Sequence, residues 1–314
     1  MTEDTPLSQL TRRTFSASAA GLAFASFAGL HSRSLLADPL GLPLGIQLWS
    51  VKDQFESDPV KTLHELRRIG FTVVETAGSP RTGAETLRRQ LDEAGLRCPS
   101  MHINFMGDIE AQFAGAKIVG AEYVVSSLLR PGTGRLPQLP PQQQKYAEYL
   151  REMTLEDAKK TAELANKMGE KAKSAGLRSA YHNHHIEFGA AGAQENAYDV
   201  LLQATEPGLV TFEIDCGWMA VSGRSPVEYF QRFPGRFSMM HAKDFHAVRA
   251  GEDVPPSLRF GAVLGQGFID YAPILEAATH AGLKFVFAEQ EGPFEEHSPM
   301  DAARLDYQYL HSFK

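Results

Sequence analysis

Eight short apolar runs, each rich in β-branched or aromatic residues, alternate with amphipathic stretches along this 314-residue chain. That alternation limits the fold more than any other feature. The runs are LGIQLW from Leu44, TVVETA from Thr72, CPSMHI from Cys98, EYVVSSLL from Glu122, SAYHNH from Ser179, VTFEID from Val210, FSMMHAKD from Phe237 and FVFAEQ from Phe285. Their length and composition predict strands, and stretches such as PVKTLHELRRIG and LEDAKKTAELANKMGEKAKSAG carry helical periodicity between them. Gly70, Gly95, Gly120, Gly176 and Gly282 each close a helical run directly before a strand. Glycine tolerates the left-handed conformation that ends a helix and turns the chain back into a sheet. The first three stand 25 residues apart, the pace of a βα repeat. Eight strands alternating with about eight helices predict an α/β fold of the (β/α)8 TIM-barrel type in one domain. An open doubly wound sheet usually carries a Gly-rich phosphate loop after its first strand, and LWSVKDQF is not one.

The N-terminus stands outside this pattern. LTRRTFSASAAGLAFASFAGLHSRSLLAD pairs Arg12 and Arg13 and then runs apolar and small from Phe15 to Leu30. With Thr11 and Phe15 it resembles a twin-arginine-type export signal, expected to span residues 1–37 and to be cleaved after Ala37. The run is too short and too rich in Ala, Gly and Ser for a membrane span, which needs about 20 strongly apolar residues. The expectation is therefore a periplasmic protein with no membrane anchor and a barrel domain over 38–314. Removing 37 residues leaves 277, with 28 basic against 36 acidic groups, a balance of −8. A nucleic-acid partner would want the opposite sign. The two cysteines, Cys98 and Cys216, make no disulfide framework and are not expected to bond, so the fold must rest on its hydrophobic core. Two insertions, RPGTGRLPQLPPQQQKYAEYLRE and FHAVRAGEDVPPSLRFGAVLGQGF, follow strands four and seven, at the end of a barrel where pocket walls are built.

Polar residues at the last position of a barrel strand overhang one mouth, so residues distant in sequence converge there. Those positions hold His102 on strand three, His182 and His184 on five, Asp215 on six, His241 on seven and Glu289 on eight, with Glu187 shortly after strand five. The carboxylates sit in strongly apolar runs, VTFEID and FVFAEQ, and burying them bare costs several kcal/mol unless they are paired or coordinated. Oxygen and nitrogen donors without thiolate favour one divalent ion, Mn, Mg, Co or Zn, over copper or an iron–sulfur cluster.

GIQLWSVKDQF, YHNHHIEF, EIDCGW, HAKDF and FAEQEGP, in this order, resemble the sugar isomerase/epimerase family with a xylose-isomerase-like barrel, across Leu44 to Lys314. The resemblance implies a divalent ion held by Glu, Asp, His and Glu at the ends of strands five to eight, the two glutamates doubling as acid and base. Asp215, His241 and Glu289 supply three of the four. Many members carry the first glutamate on strand five itself, whereas this chain has Tyr181-His182-Asn183-His184 there. Glu187 is then the candidate ligand and acid–base residue, with His182 or His184 as substitute. Lys243, two positions past His241 on the same face, stabilises an oxyanion or forms a structural ion pair. Trp49, Phe105 and Trp218 offer faces for a sugar ring or pack in the core. Glu75 bonds substrate hydroxyls or braces Lys243, and His102, His182 and His184 complete the substrate side. His246, His280 and His311 receive no role.

The function this implies is metal-dependent proton abstraction beside the carbonyl of a small carbohydrate or keto-sugar, through an enediolate. Isomerisation or epimerisation is the leading expectation. An exported 3-keto-glycoside lyase or hydrolase, or a dehydratase, shares the same intermediate. A non-catalytic carbohydrate-binding barrel stands as the reading from a different class. An abasic-site endonuclease on the same barrel would need a basic surface, which this acidic chain lacks.

Overall fold

A computed structural model describes residues 41–104, 107–127, 152–189, 195–248, 260–292, 294 and 296–313. The expected export segment, Phe105, the first insertion through Arg151 and residues 249–259 of the second lie outside them. Strands β1 (Leu44–Gln47), β2 (Val73–Thr76), β3 (Arg97–His102), β4 (Tyr123–Ser127), β5 (Arg178–His182), β6 (Val210–Asp215) and β7 (Phe237–Ala242) follow one another in chain order. A two-residue antiparallel pair, β8 (Asp244–Phe245) with β9 (Gly261–Ala262), precedes the eighth barrel strand, β10 (Phe285–Ala288). The sheet closes as β1-β10-β7-β6-β5-β4-β3-β2 with every neighbour parallel, the expected (β/α)8 barrel.

Local chemistry sets where the helices begin and end. The Asp58 carboxylate accepts from Lys61 N at 3.0 Å and Pro59 takes the first position of helix Pro59–Ile69. Thr154 and Asp157 satisfy one another's backbone N–H groups in a capping box that opens helix Leu155–Ser174. At the other ends, Gly70, Gly95, Gly120, Gly176 and Gly282 all have positive φ, between 70° and 132°. No helix among the described residues is long and apolar enough to cross a membrane. Cys98 and Cys216 are both buried and free.

Strand alternation divides the core in two. Outward residues such as Leu44, Val74, Met101 and Phe212 pack beneath the helices. Inward residues Val73, Tyr123, Val125, Ala180, Met239, Phe285 and Phe287 fill the barrel floor. Burying a phenylalanine such as Phe287 stabilises by roughly 1.5–3 kcal/mol. Gly45 makes room for it, since a Cβ there would meet the Phe287 ring at 2.5 Å. Two residues further along each inward face, the side chains turn polar: Val73 is followed by Glu75, Ala180 by His182, Met239 by His241, Phe287 by Glu289. The floor is thus an apolar plug on which a polar layer rests.

Two register irregularities help aim that layer. β2 pairs Val73 with Arg97 but Glu75 with Ser100, and β6 pairs Phe212 with Phe237 but Glu213 with Met239. An extra residue re-aims the side chains beyond it. The first bulge sets Glu75 beside Ser100 and the second sets Asp215 beside His241. Beyond β7, the buried Asp244 carboxylate accepts from the backbone N–H groups of Phe245, Gly265, Gly267 and Ile269. It ties the end of the second insertion against the barrel rim. Gly267 is required there, because a Cβ would collide with the Asp244 carboxylate.

Candidate metal centre

Three of the expected residues meet at the barrel mouth. One ligand atom from each of Asp215, His241 and Glu289 lies within 4.8 Å of the others. Asp215 is held from both sides. The Asn183 side chain accepts from Asp215 N at 3.0 Å and donates to Asp215 O at 3.2 Å, while Oδ1 accepts from Trp218 N at 2.8 Å. That spends Oδ1 as the cap of helix Cys216–Val221 and leaves Oδ2, whose one charged neighbour within 3.5 Å among the described residues is the Lys243 ammonium. His241 Nδ1 lies 2.9 Å from Glu289 Oε2.

Lys243, only 1% exposed, lies beside this group. Its Nζ is 3.1 Å from Asp215 Oδ2, 2.8 Å from Glu289 Oε2 and 2.6 Å from Glu291 Oε1. Tyr271 Oη brackets the Lys243 peptide, accepting from its N–H and donating to its carbonyl, both at 2.7 Å.

Sharing His241, a second group forms from His102, His182, Glu213 and His241. Glu213 Oε2 lies 3.0 Å from His102 Nε2, 3.1 Å from His182 Nδ1 and 3.3 Å from His241 Nε2. Glu213 was not among the expected site residues. The signal was in the sequence: in VTFEID it stands two positions before Asp215 and so shares its face. Glu75 joins this group, with Oε2 2.7 Å from His241 Nε2 and 3.2 Å from His102 Nε2.

Charge follows from these contacts. Burial alone would lower the His102 imidazolium, but Glu75 and Glu213 outweigh it and raise its pKa to about 10. Burial likewise opposes the His241 cation, and Glu213 and Glu289 lift it well above its usual value. Burial would raise Glu213, and Glu75 adds to that, yet the surrounding imidazoles bring it down to about 2. Burial raises Asp215 to about 6 against the pull of Lys243. Glu289 is held well below the carboxylate range because Lys243 and His241 overcome its burial. Burial with neighbouring His241 keeps His182 neutral, and burial with Lys243 lowers His184 to about 3. The donor set therefore fits a divalent ion: hard carboxylate oxygens and an imidazole nitrogen, already gathered around a buried cation.

The remaining expected residues divide. Glu187 does not join the centre. After β5 the chain turns into a short 3-10 helix, His185–Glu187, and the Glu187 carboxylate accepts from Tyr181 Oη at 2.7 Å and His184 N at 2.9 Å. The strand-five donor nearest the centre is His182, whose Nε2 lies 3.9 Å from Asp215 Oδ2. Glu75 is fully buried and faces other side chains rather than the mouth. His184 is half-buried near Trp218, and Trp218 packs on Phe245 with its ring 5.1 Å beneath Lys243 Nζ. Trp49 is 44% exposed at the rim, with Lys52 Nζ 4.2 Å above its ring.

Comparison with known proteins adds three findings. Residues 63–310 match the family described as the xylose isomerase-like TIM barrel. The inosose dehydratase of Lacticaseibacillus casei is 30% identical over 153 residues, covering 46% of this chain and 50% of that protein. The chain thus matches about half the length of its curated relatives. Among solved structures, a sugar phosphate isomerase/epimerase from Parabacteroides distasonis superposes with a TM-score of 0.65 at 22% identity, over 87% of this chain and 94% of the other. The IOLI protein with a bound zinc atom gives 0.62 at 14% identity, over 85% and 96%.

Proposed function

Because this chain belongs to the xylose isomerase-like TIM barrel family, we propose that it is a divalent-metal-dependent enzyme. In this reading it removes a proton from the carbon beside the carbonyl of a small polyhydroxylated ketone or keto-sugar. The observation that carries the reading is the convergence of Asp215, His241 and Glu289, two buried carboxylates and an imidazole, around one buried ammonium. When bound, the ion supplies Lewis-acid polarisation of the substrate carbonyl. Glu289 accepts the carbon-bound proton at its carboxylate. Lys243 donates hydrogen bonds to the oxygen on which negative charge develops. Asp215 and His241 hold the centre in register.

Elimination of water is the favoured outcome, because one carboxylate is enough for it. The C–H electron pair becomes the new C=C bond, the C–O bond to the β-carbon breaks, and Glu289 delivers its proton to the departing hydroxyl, which leaves as water. Epimerisation needs a second acid on the opposite face. Glu187, the expected partner, is already engaged by Tyr181 and His184. The inosose dehydratase relatives accord with this preference over the half of their length that matches. Isomerisation is the second reading, since returning the same proton to the neighbouring carbon also needs only one carboxylate. The test is incubation with Mn2+ in D2O, first with inososes and free ketoses, then with 3-keto-glycosides. Deuterium on the carbon beside the carbonyl, or loss of that carbon's hydrogen together with water, is expected, and the product then names the branch. Absence of exchange and turnover with every divalent ion would leave a carbohydrate-binding barrel instead.

We also propose export by the twin-arginine route, with residues 1–37 as the removable segment and 38–314 as the working domain. An Arg12→Lys, Arg13→Lys double variant is expected to stay in the cytoplasm, read by cell fractionation. Its unimpaired delivery to the periplasm would defeat the twin-arginine route.

A further inference from the structure

Glu75 has no free side for a substrate. Its carboxylate faces four side chains: Gln47 Nε2 at 2.8 Å, Ser100 Oγ, His102 Nε2 at 3.2 Å and His241 Nε2 at 2.7 Å. Three of these donors converge on Oε2 and Ser100 donates to Oε1, and the side chain is fully buried. The residue nonetheless reaches far. In the barrel, β2 is separated from β7 by β1 and β10, so the contact with His241 crosses the interior. The bulge between β2 and β3 places Glu75 opposite Ser100, where that reach is braced.

The contact dictates how His241 presents itself. Its two ring nitrogens face two carboxylates, Nε2 toward Glu75 and Nδ1 toward Glu289. An ionised carboxylate has no proton to give, so the bond to Glu75 requires the hydrogen on Nε2. By the same rule Nδ1–H faces Glu289, and that is the proton a divalent ion beside Asp215 and Glu289 would displace, because Glu75 keeps the Nε2 proton on the far side of the ring. Carboxylates that hold the far nitrogen of a metal-binding histidine fix its tautomer and ring orientation, and losing one typically weakens metal binding about 10–100-fold.

We propose that Glu75 is a positioning residue for the metal: from across the barrel it locks His241 with Nδ1 turned to the Asp215–Glu289 site. This rests on the metal-dependent reading above, and it assigns the His102–His182–Glu213 group to support rather than to the ion. The test uses the full chain, stripped of metal by chelation and titrated with Co2+. Three quantities are read: dissociation constant by chelator competition, visible absorption of the bound Co2+, and thermal unfolding of the metal-free protein. Glu75→Gln is expected to unfold cooperatively, to bind Co2+ about 10–100-fold more weakly and to show an altered Co2+ absorption band. A merely structural role would move the unfolding temperature and leave the band alone. If metal-free E75Q does not unfold cooperatively, Glu75→Asp is read in its place; it keeps the charge but shortens the reach, and the same direction of change is expected. Wild-type affinity and absorption in the variant that folds would overturn this inference alone. So would loss of Co2+ in Glu213→Gln with full retention in Glu289→Gln, which would put the ion in the His102–His182–Glu213 group. A wild-type chain that binds no divalent ion would overturn the metal-dependent reading together with this one.

Discussion

Glu289→Gln is expected to lose both the divalent ion and turnover. The side chain is 8% exposed, its Oε2 lies 2.9 Å from His241 Nδ1 and 2.8 Å from Lys243 Nζ, and the contact with Lys243 is its strongest electrostatic support. The amide keeps the shape but removes one negative charge from the ion's surroundings and the base from the reaction. Losing a positioned acid–base group alone costs about 10²–10⁴ in rate, and the lost ligand adds to that. The fold should survive, because the amide oxygen still accepts from Lys243. Metal content after dialysis and deuterium exchange in D2O give the two readouts. The informative contrast is Glu187→Gln. The structure gives that carboxylate to Tyr181 and His184, so its loss should cost about 1–3 kcal/mol of stability and leave metal content unchanged. A folded Glu187→Gln protein that cannot hold its ion would reverse the two assignments.

The barrel was legible because its signals are local. Apolar runs at a βα pace and glycines at helix ends each report on a few consecutive residues, and all five of those glycines take positive φ. Asp215, His241 and Glu289 were legible for the same reason, since strand-end position follows from strand boundaries. Glu187 stands apart from these three because the chain leaves β5 at His182 and folds into a single helical turn, which no periodicity rule foresees. Glu75 and Glu213 lay on the right faces, yet their partners come from strands elsewhere in the barrel and through register shifts. A side chain that will meet a carboxylate from 166 residues away, as His241 does Glu75, leaves no local trace.

Lys243→Met is expected to destabilise the metal-free protein strongly, and a divalent ion should restore much of the loss. The ammonium is buried between Asp215 Oδ2 and Glu289 Oε2, and methionine fills similar space without charge. Removing one partner of a buried ion pair typically costs about 3–5 kcal/mol, because the remaining charge is uncompensated. Glu291 contributes less, since its side chain is 38% exposed and water screens it. Lys243 and a divalent ion neutralise the same two carboxylates, so the variant should bind the ion at least as tightly as the wild type. Saturating ion at about 100 times its dissociation constant adds about 2.7 kcal/mol of stability to any chain that binds it only when folded. In the variant the gain should exceed the wild-type gain at equal ion concentration. Turnover should still fall, because the hydrogen-bond donor to the developing oxyanion is missing. Urea unfolding with and without Mn2+, beside metal affinity, separates these effects. Equal destabilisation with and without saturating ion would mean that the ammonium and the ion do not answer to the same pair of carboxylates, and the site drawn around Asp215 and Glu289 would have to move.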